Sequence, residues 1–424
     1  MYSGSIIIPI TKLDKGKSNL PDLPFTYFYL MGILKLILLL FLSAGCSKNQ
    51  TCKVKHALLE FEIVESIDIP LDGTQYNHIT PVVYEDDTCV LIMGLDPFSN
   101  KIDVYSLAQK KFLFTISLQQ EGPDEILSPR AMFVHTLDSI FLLNDINQLY
   151  LINRKGNRLN FWDFDFTLPD SILMLDESLT GEFIIAAYGK SEYLNLPFFY
   201  DSDNKTLISR ILILNNLSGS AEYSVLYKTP NLASIDLVNG QLKQLMGRYP
   251  DSYLIEPKPH NPFAHFARLN QATWIQFDSS PEIHWVEEDT FFCAPSMFAR
   301  NQITRFKGDQ EIDENIEIRA YHTDEAYVGI YYDPFNQLVY RVFQHGQPNK
   351  NAEGKLNQKL QAKFSVIVMR TTGEIIGEAV FESQKYNFLD VFVTRNGILI
   401  SKENPFNEHN VEEAYSFDLI RFKI

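Results

Sequence analysis

From about residue 90 to residue 420 the chain keeps returning to one arrangement: an apolar run ending near Asp or Asn, a short polar turn, and a second apolar run. Ile92-Met93-Gly94-Leu95-Asp96 leads to Ile102-Asp103-Val104-Tyr105, and Phe141-Leu142-Leu143-Asn144-Asp145 leads to Leu149-Tyr150-Leu151-Ile152. Phe198-Phe199-Tyr200-Asp201 leads to Ile211-Leu212-Ile213-Leu214, and Trp274-Ile275-Gln276-Phe277-Asp278 leads to Ile283-His284-Trp285-Val286. Ile330-Tyr331-Tyr332-Asp333 leads to Leu338-Val339-Tyr340, and Leu399-Ile400-Ser401-Lys402-Glu403-Asn404 leads to Tyr415-Ser416-Phe417-Asp418-Leu419. Runs this short and this rich in β-branched and aromatic residues read as strand hairpins. Asp or Asn suits the junction because its side chain can accept a hydrogen bond from the turn's own backbone while the chain reverses.

The six junctions from Asp96 to Asn404 are spaced by about 62 residues, long for a four-stranded blade but reasonable once loops are included. Fragments also repeat. Asn147-Gln148-Leu149 returns as Asn336-Gln337-Leu338, and Asp96-Pro97-Phe98-Ser99 returns as Asp333-Pro334-Phe335-Asn336 and Asn404-Pro405-Phe406-Asn407. Similarity at one place in each unit predicts an all-β fold, a six-bladed β-propeller rather than a sandwich. In the second unit Ala131 to His135 supplies an inner strand and Arg158 to Phe164 an outer one. The sixth unit runs out at Ile424 during its third strand, so Phe61 to Ile69 is expected to pair beside Tyr415 to Ile424 and close the ring. Leu232 to Arg248 has an apolar spacing closer to helical and is expected to form an insertion, while Gln347 to Gln361 is polar and reads as a surface loop.

The N-terminal region has another character. Met31-Gly32-Ile33-Leu34-Lys35, the apolar run Leu36 to Leu42 and Ser43-Ala44-Gly45-Cys46 have the order of a secretory signal, and the apolar run is too short to span a bilayer. The Cys at the cleavage point resembles a bacterial lipobox, with Ser43 where such boxes usually have Leu. The domain reading is residues 1–30 as a mis-assigned start or disordered segment, 31–45 as a lipoprotein signal peptide, 46–58 as a lipid-anchored tether and 59–424 as the propeller. Cys46 is the expected lipidation site and the membrane attachment is by this N-terminal anchor alone.

Composition adds limits. The chain has 424 residues and is rich in Phe (31) and Tyr (21), which fits β structure. A net charge of −16, with no Lys/Arg cluster, opposes nucleic-acid binding and flat adsorption to an anionic membrane. A negative surface also keeps a monomer from self-associating, and a monomer is expected. Beyond Cys46 lie Cys52, Cys89 and Cys293. The blade assignment puts Cys89 and Cys293 on opposite sides of the ring, beyond the ~7 Å reach of a disulfide, and Cys52 in the tether, so all three are expected to be free thiols.

Ser139-Ile140-Phe141-Leu142-Leu143-Asn144-Asp145 through Leu149-Tyr150-Leu151-Ile152 to Lys155-Gly156 resembles the blade pattern of TolB-like and NHL-type propellers. Glu121-Gly122-Pro123-Asp124-Glu125-Ile126 with Pro129, the lipobox and the ending Gly397-Ile398-Leu399-Ile400-Ser401 resemble Bacteroidetes-type six-bladed propeller lipoproteins of unknown function. That resemblance implies a fold and an envelope location and carries no catalytic residue across. In such lipoproteins an acidic cluster after the Cys marks export to the outer face. Ser47-Lys48-Asn49-Gln50-Thr51 has none, which implies an outer-membrane lipoprotein facing the periplasm.

Chemical motifs are sparse. A Gly-rich phosphate loop, a GxSxG turn and an HExxH helix are all missing from the sequence, the nine His are scattered, and neither a cofactor nor a metal is expected. His260 and His265 sit five apart, on opposite faces of a strand, and Asp201 with Asp203 starts like a calcium loop that Lys205 breaks. Asp201 and Glu121-Gly122-Pro123 read as turns. The inner strands of a propeller line its channel, and Arg130, His135, His265, Arg268, Arg319 and His322 fall on or beside segments assigned as inner strands, with His78 a further candidate. They form a candidate site for a small anionic ligand such as a carboxylate or sugar acid. The expected function is a non-catalytic envelope module that binds a partner protein or small ligand. The alternative is a hydrolase or lyase acting on a glycan or lactone at the propeller mouth, and no catalytic residue is assigned. If Cys46 carries the acyl chains, Cys46→Ser should move the protein from the membrane to the soluble fraction. A variant still acylated and sedimenting with membranes would refute the lipobox.

Overall fold

The computed structural model describes residues 52, 56–71, 78, 81–168, 170–173, 179–185, 198–215, 225, 227–255, 264–270, 272–300, 302–304, 314–409 and 413–424. Two strands, β1 (Ala57–Leu58) and β2 (Phe61–Pro70), precede six antiparallel sheets. Blade one is β3 (Val82–Glu85), β4 (Val90–Asp96), β5 (Lys101–Ser106) and β6 (Lys111–Ser117); blade two is β7 (Ala131–Thr136), β8 (Ser139–Leu143), β9 (Gln148–Ile152) and β10 (Arg158–Asp163). In blade three β11 (Leu179–Ile185) and β12 (Phe198–Asp201) share one edge of β13 (Thr206–Asn215), followed by β14 (Leu232–Asp236) and β15 (Gln241–Met246). Blade four is β16 (His265–Arg268), β17 (Thr273–Gln276), β18 (Glu282–Trp285) and β19 (Thr290–Cys293). Blade five is β20 (Ala326–Asp333), β21 (Leu338–Gln344), β22 (Phe364–Arg370) and β23 (Ile375–Phe381); blade six is β24 (Asn387–Thr394), β25 (Gly397–Ser401) and β26 (Ala414–Phe422), completed by β2.

The fold is a six-bladed β-propeller. Its core lies between blades. Ile140, Leu142, Tyr150 and Ile152 of blade two pack on Met93, Leu95, Ile102 and Val104 of blade one, and corresponding apolar layers fill the other blade interfaces. Each fully buried Leu or Ile contributes about 1.5–3 kcal/mol. Ring closure follows the sequence expectation: β2 pairs antiparallel with β26 from Phe61 opposite Phe422 to Pro70 opposite Ala414. Strands β3, β7, β12, β16, β20 and β24 are innermost and run in the same sense. Their C-terminal ends define an upper mouth and their N-terminal ends a lower one.

Several expectations need correction. Leu232 to Arg248 is no helical insertion: its two apolar groups flank the turn Asp236–Gly240 and form the antiparallel pair β14 and β15. The repeated hairpins also do not occupy one position. In blades one, two, four and six they join the second and third strands, but in blades three and five they join the first and second. Asp96, Asn144, Asp333 and Asn404 each accept backbone N–H bonds from residues two to four ahead, for example Phe98 N to Asp96 at 3.0 Å and Phe335 N to Asp333 at 2.9 Å. The repeated signal is turn chemistry, which is indifferent to the strand's place in the blade. Gly122 does serve a turn, with φ +93 and its carbonyl accepting from Glu125 N at 3.1 Å.

The expectation of three free thiols is overturned for two of them. Cys52 is bonded to Cys293, with Cα atoms 5.5 Å apart, and Cys89 alone is free among the described cysteines. Cys293, at the end of blade four, does lie across the ring from Cys89 of blade one, but Cys52 is fixed to the ring and is not part of a loose tether. Residues 56–58 lie along the outer rim instead. Ala57 and Leu58 pair parallel with Gly377 and Glu378 of β23, and His56 Nε2 lies 2.9 Å from Glu378. Burial opposes ionisation of Glu378, but hydrogen bonds from His56, Ser296, Ser365 and the Met297 N–H outweigh it and hold its pKa below the ordinary carboxylate value. Nearby, buried Arg341 donates to Gln276 Oε1 at 3.1 Å and to the carbonyls of Ser280 at 2.8 Å and Ala294 at 2.6 Å, locking blade five to blade four.

Thiol titration of denatured, unreduced protein should therefore find Cys89 and neither Cys52 nor Cys293. Cys293→Ser should lower unfolding stability by about 2–4 kcal/mol because it opens a long cross-link. Recovery of three thiols, or an unchanged denaturation midpoint in the variant, would contradict the strap.

Candidate functional site

A cavity of about 620 Å³ opens at the upper mouth. Four consecutive inner strands bring their last residues to it: Phe133 and His135 from β7, Phe199 to Asp201 from β12, Arg268 from β16 and Tyr332 from β20. The turns that follow add Asp203, Asn204 and Asn270. Sequence reasoning placed His135 and Arg268 on inner strands, and these two do converge here.

Each side chain is held by its neighbours. Asp201 starts an Asx turn, its Oδ1 accepting from the Asp203 and Asn204 N–H groups at 3.2 Å each, while Asn204 Nδ2 donates to Oδ2 at 3.1 Å. Burial opposes its ionisation, but those bonds and the charge of Arg268 keep its pKa below the usual carboxylate value. The Arg268 guanidinium donates to Glu287 at 2.8 Å, Thr273 at 2.9 Å and Asp201 at 3.4 Å. Its charge is thus answered within the protein. Tyr332 Oη lies 3.1 Å from Asn270 Oδ1 and bridges β20 to the β16 turn. The His135 ring stands edge-on to Tyr200 with centroids 5.4 Å apart, and Phe133 meets Phe199 at 5.3 Å. Aromatic faces therefore share the cavity with amides, a compensated Arg and two carboxylates, Asp201 and Asp203.

Residues 75–379 match the family described as a domain of unknown function, DUF4221, which is well over half of the chain. The chain belongs to that family. The crystal structure of a DUF4221 member from Bacteroides vulgatus is similar with a TM-score of 0.67 at 20% identity, over 87% of this chain and 99% of that one. That likeness supports the propeller fold. A protein from Bacteroides fragilis described as exported gives a TM-score of 0.44 at 10% identity, over 87% of this chain and 98% of that one. No curated protein matches the chain.

The other candidates in this DUF4221 chain sit toward the lower mouth. Arg130 precedes β7 and pairs with Asp145 at 3.1 Å in an exposed ion pair. His265 is buried at the start of β16, 3.4 Å from Asp278; burial lowers its pKa, against the pull of that carboxylate. Arg319 and His322 lie beside an inner strand, β20, but not on a strand themselves. They lie on a helix, Glu314–Thr323, whose last turn delivers the chain to β20, and His322 Nδ1 accepts from the Lys359 N–H at 3.2 Å. The run Glu314 to His322 is polar enough to satisfy a short surface helix, which strand periodicity could not reveal. His78 bridges blades one and six, Nε2 lying 3.0 Å from Asp103 and Nδ1 bonded to Tyr415 Oη. His260 lies outside the described residues. Among the described residues no three His, Cys, Asp or Glu side chains gather as a metal-binding group.

Sequence reasoning missed Tyr200, Asn204, Asn270 and Tyr332. The signal is present in Phe198-Phe199-Tyr200-Asp201 and Tyr331-Tyr332-Asp333, which as first strands of their blades end at the channel mouth.

Two half-buried acids near the lower end of blade six complete the electrostatics. Burial raises Asp390 to about 7, and burial followed by the nearby Asp390 charge raises Glu403 to about 8. Asp390 accepts from Asn387 Nδ2 at 2.7 Å, while Glu403 Oε1 is buried without a hydrogen-bond partner. Because these folded-state values lie above those of the unfolded chain, the unfolded chain loses its protons first. Their stability contribution is complete below about pH 4 and is lost as pH rises through about 8. Glu403→Gln should match the parent in urea unfolding near pH 4 and exceed it near pH 8. Equal stability at both would show that Glu403 is ionised at little cost.

Proposed function

We propose that this protein is a non-catalytic binding module of the cell envelope, tethered through Cys46, which takes a small ligand at the upper mouth of the propeller. The observation that carries the reading is the cavity of about 620 Å³, a size suited to a small molecule, at the convergence of four inner strands. Its chemistry favours a neutral, hydroxyl-rich ligand. Rings of Phe199, Tyr200 and Tyr332 offer apolar faces for stacking, and Asp201, Asn204 and Asn270 offer acceptors and donors at the edge. An anion would meet Arg268 already engaged by Glu287 and Asp201, so the cationic attraction expected from the sequence is largely spent inside the wall. The anchor reading rests on the ordered sequence from Met31 to Cys46.

Titration calorimetry with a panel of neutral mono- and disaccharides and of sugar acids tests the proposal. Neutral sugars should give saturable heats, and Tyr332→Ala and Asn270→Ala should each weaken the best of them by roughly tenfold or more through lost stacking and hydrogen bonding. Binding restricted to sugar acids would return the anionic reading, and turnover of a panel member would make the protein an enzyme.

A further inference from the structure

The wall of the upper cavity is unevenly charged. Arg268, its one permanent cation, is answered twice, by Glu287 at 2.8 Å and by Asp201 at 3.4 Å. A further carboxylate, Asp203, also lines the cavity. Its backbone N–H donates to Asp201 Oδ1 at 3.2 Å, but among the described residues no group pairs with or donates to its side chain. Lys205, the cation of the same turn, is not part of the cavity wall. The mouth therefore holds one positive charge already spent inside the wall and one negative charge left over.

The aromatic part of the wall suits the charge that Asp203 lacks. Phe133, Phe199, Tyr200 and Tyr332 all line the cavity. A ring face carries the negative end of the aromatic quadrupole, so an ammonium within about 6 Å of it is attracted. An anion finds only the engaged Arg268. A neutral ligand can use the rings and the amides of Asn204 and Asn270 but leaves Asp203 without a counter-charge. A ligand with an ammonium group uses rings, amides and carboxylate together. The chain's net charge of −16 works in the same direction at long range.

We infer that the upper cavity selects, among hydroxyl-rich ligands, one that carries a primary ammonium: an amino sugar, with its ammonium on Asp203 and its hydroxyls on Asn204 and Asn270. The inference rests on the reading of this cavity as a small-ligand site and adds the charge of the ligand. Asp203 is exposed, so water and salt screen the pair and its contribution is modest. Together with the ring contact it amounts to a preference of about tenfold for the amino sugar over its uncharged counterpart.

Titration calorimetry with glucosamine, glucose and N-acetylglucosamine tests the inference, run below about pH 7 so that the amine keeps its proton. At low ionic strength glucosamine should bind roughly tenfold tighter than glucose, and N-acetylglucosamine, whose nitrogen is uncharged, should lose that advantage. The advantage should shrink as salt is raised to about 0.15 M. Asp203→Asn, a change in an exposed turn, should cut the ratio between glucosamine and glucose by roughly threefold or more. Glucose binding as tightly as glucosamine would overturn this inference and leave the reading of the cavity standing, whereas no binding by any of the three sugars would overturn both. A glucosamine preference that survives intact in Asp203→Asn would assign it to the overall negative field of the protein and not to this carboxylate.

Discussion

A ring of sheets is stable only if its last blade has a partner for every strand, and here that condition is met by one pairing, β2 against β26. An open sixth blade would expose the edge of β26, with Ile420 and Phe422 alongside it, to any passing strand. Closure does more than hide an edge. It places the N-terminal strand on the outside of the ring, so the residues just ahead of it must run along the rim, and the rim is where β23 and Cys293 lie. The parallel pairing of Ala57 and Leu58, the His56–Glu378 contact and the Cys52–Cys293 bond all follow from where β2 has to be. One closure thus joins blades four, five and six.

That strap is built around polar groups taken out of water. Glu378 is buried and accepts bonds from the strap, from β22 and from the link after β19, so three separate pieces of chain meet at one carboxylate. Arg341, equally buried, lies with its guanidinium 3.6 Å from the centre of the Tyr327 ring and donates to carbonyls of the neighbouring blade. Removing one member of such a network leaves others buried and unpaired, which costs more than the pair contributes. Blade interfaces made of aliphatic residues alone would tolerate sliding; directed bonds at this interface set one alignment.

What could be read from the sequence was local, and what could not was relational. Alternating apolar runs and Asx turns marked hairpins at Asp96, Asn144, Asp201, Asp333 and Asn404, and each is a hairpin. Nothing in an Asx turn says whether the strand before it is first or second in its blade. In blades three and five the assumption of a constant position moved Phe198–Asp201 and Ala326–Asp333 one strand outward and took Tyr200 and Tyr332 away from the channel. His135 and Arg268 were found because their strands were placed correctly. The disulfide was lost for a related reason: Cys52 and Cys293 are 241 residues apart, and only the path of the strap around the rim brings them together.

The positions of the two Asx populations show how one sequence device serves two surfaces. Where the hairpin joins the second and third strands its tip points down, and Phe98 and Ile146 ride on those tips. Where it joins the first and second strands its tip points up, and Asp201 with Asn204 then belongs to the cavity wall. A shift of one strand converts a turn that presents an apolar finger into one that frames a pocket, with no change in the turn itself. Blades three and five, which carry the shift, stand on either side of blade four and its Arg268. The polar wall of the cavity is therefore assembled where the repeat departs from regularity.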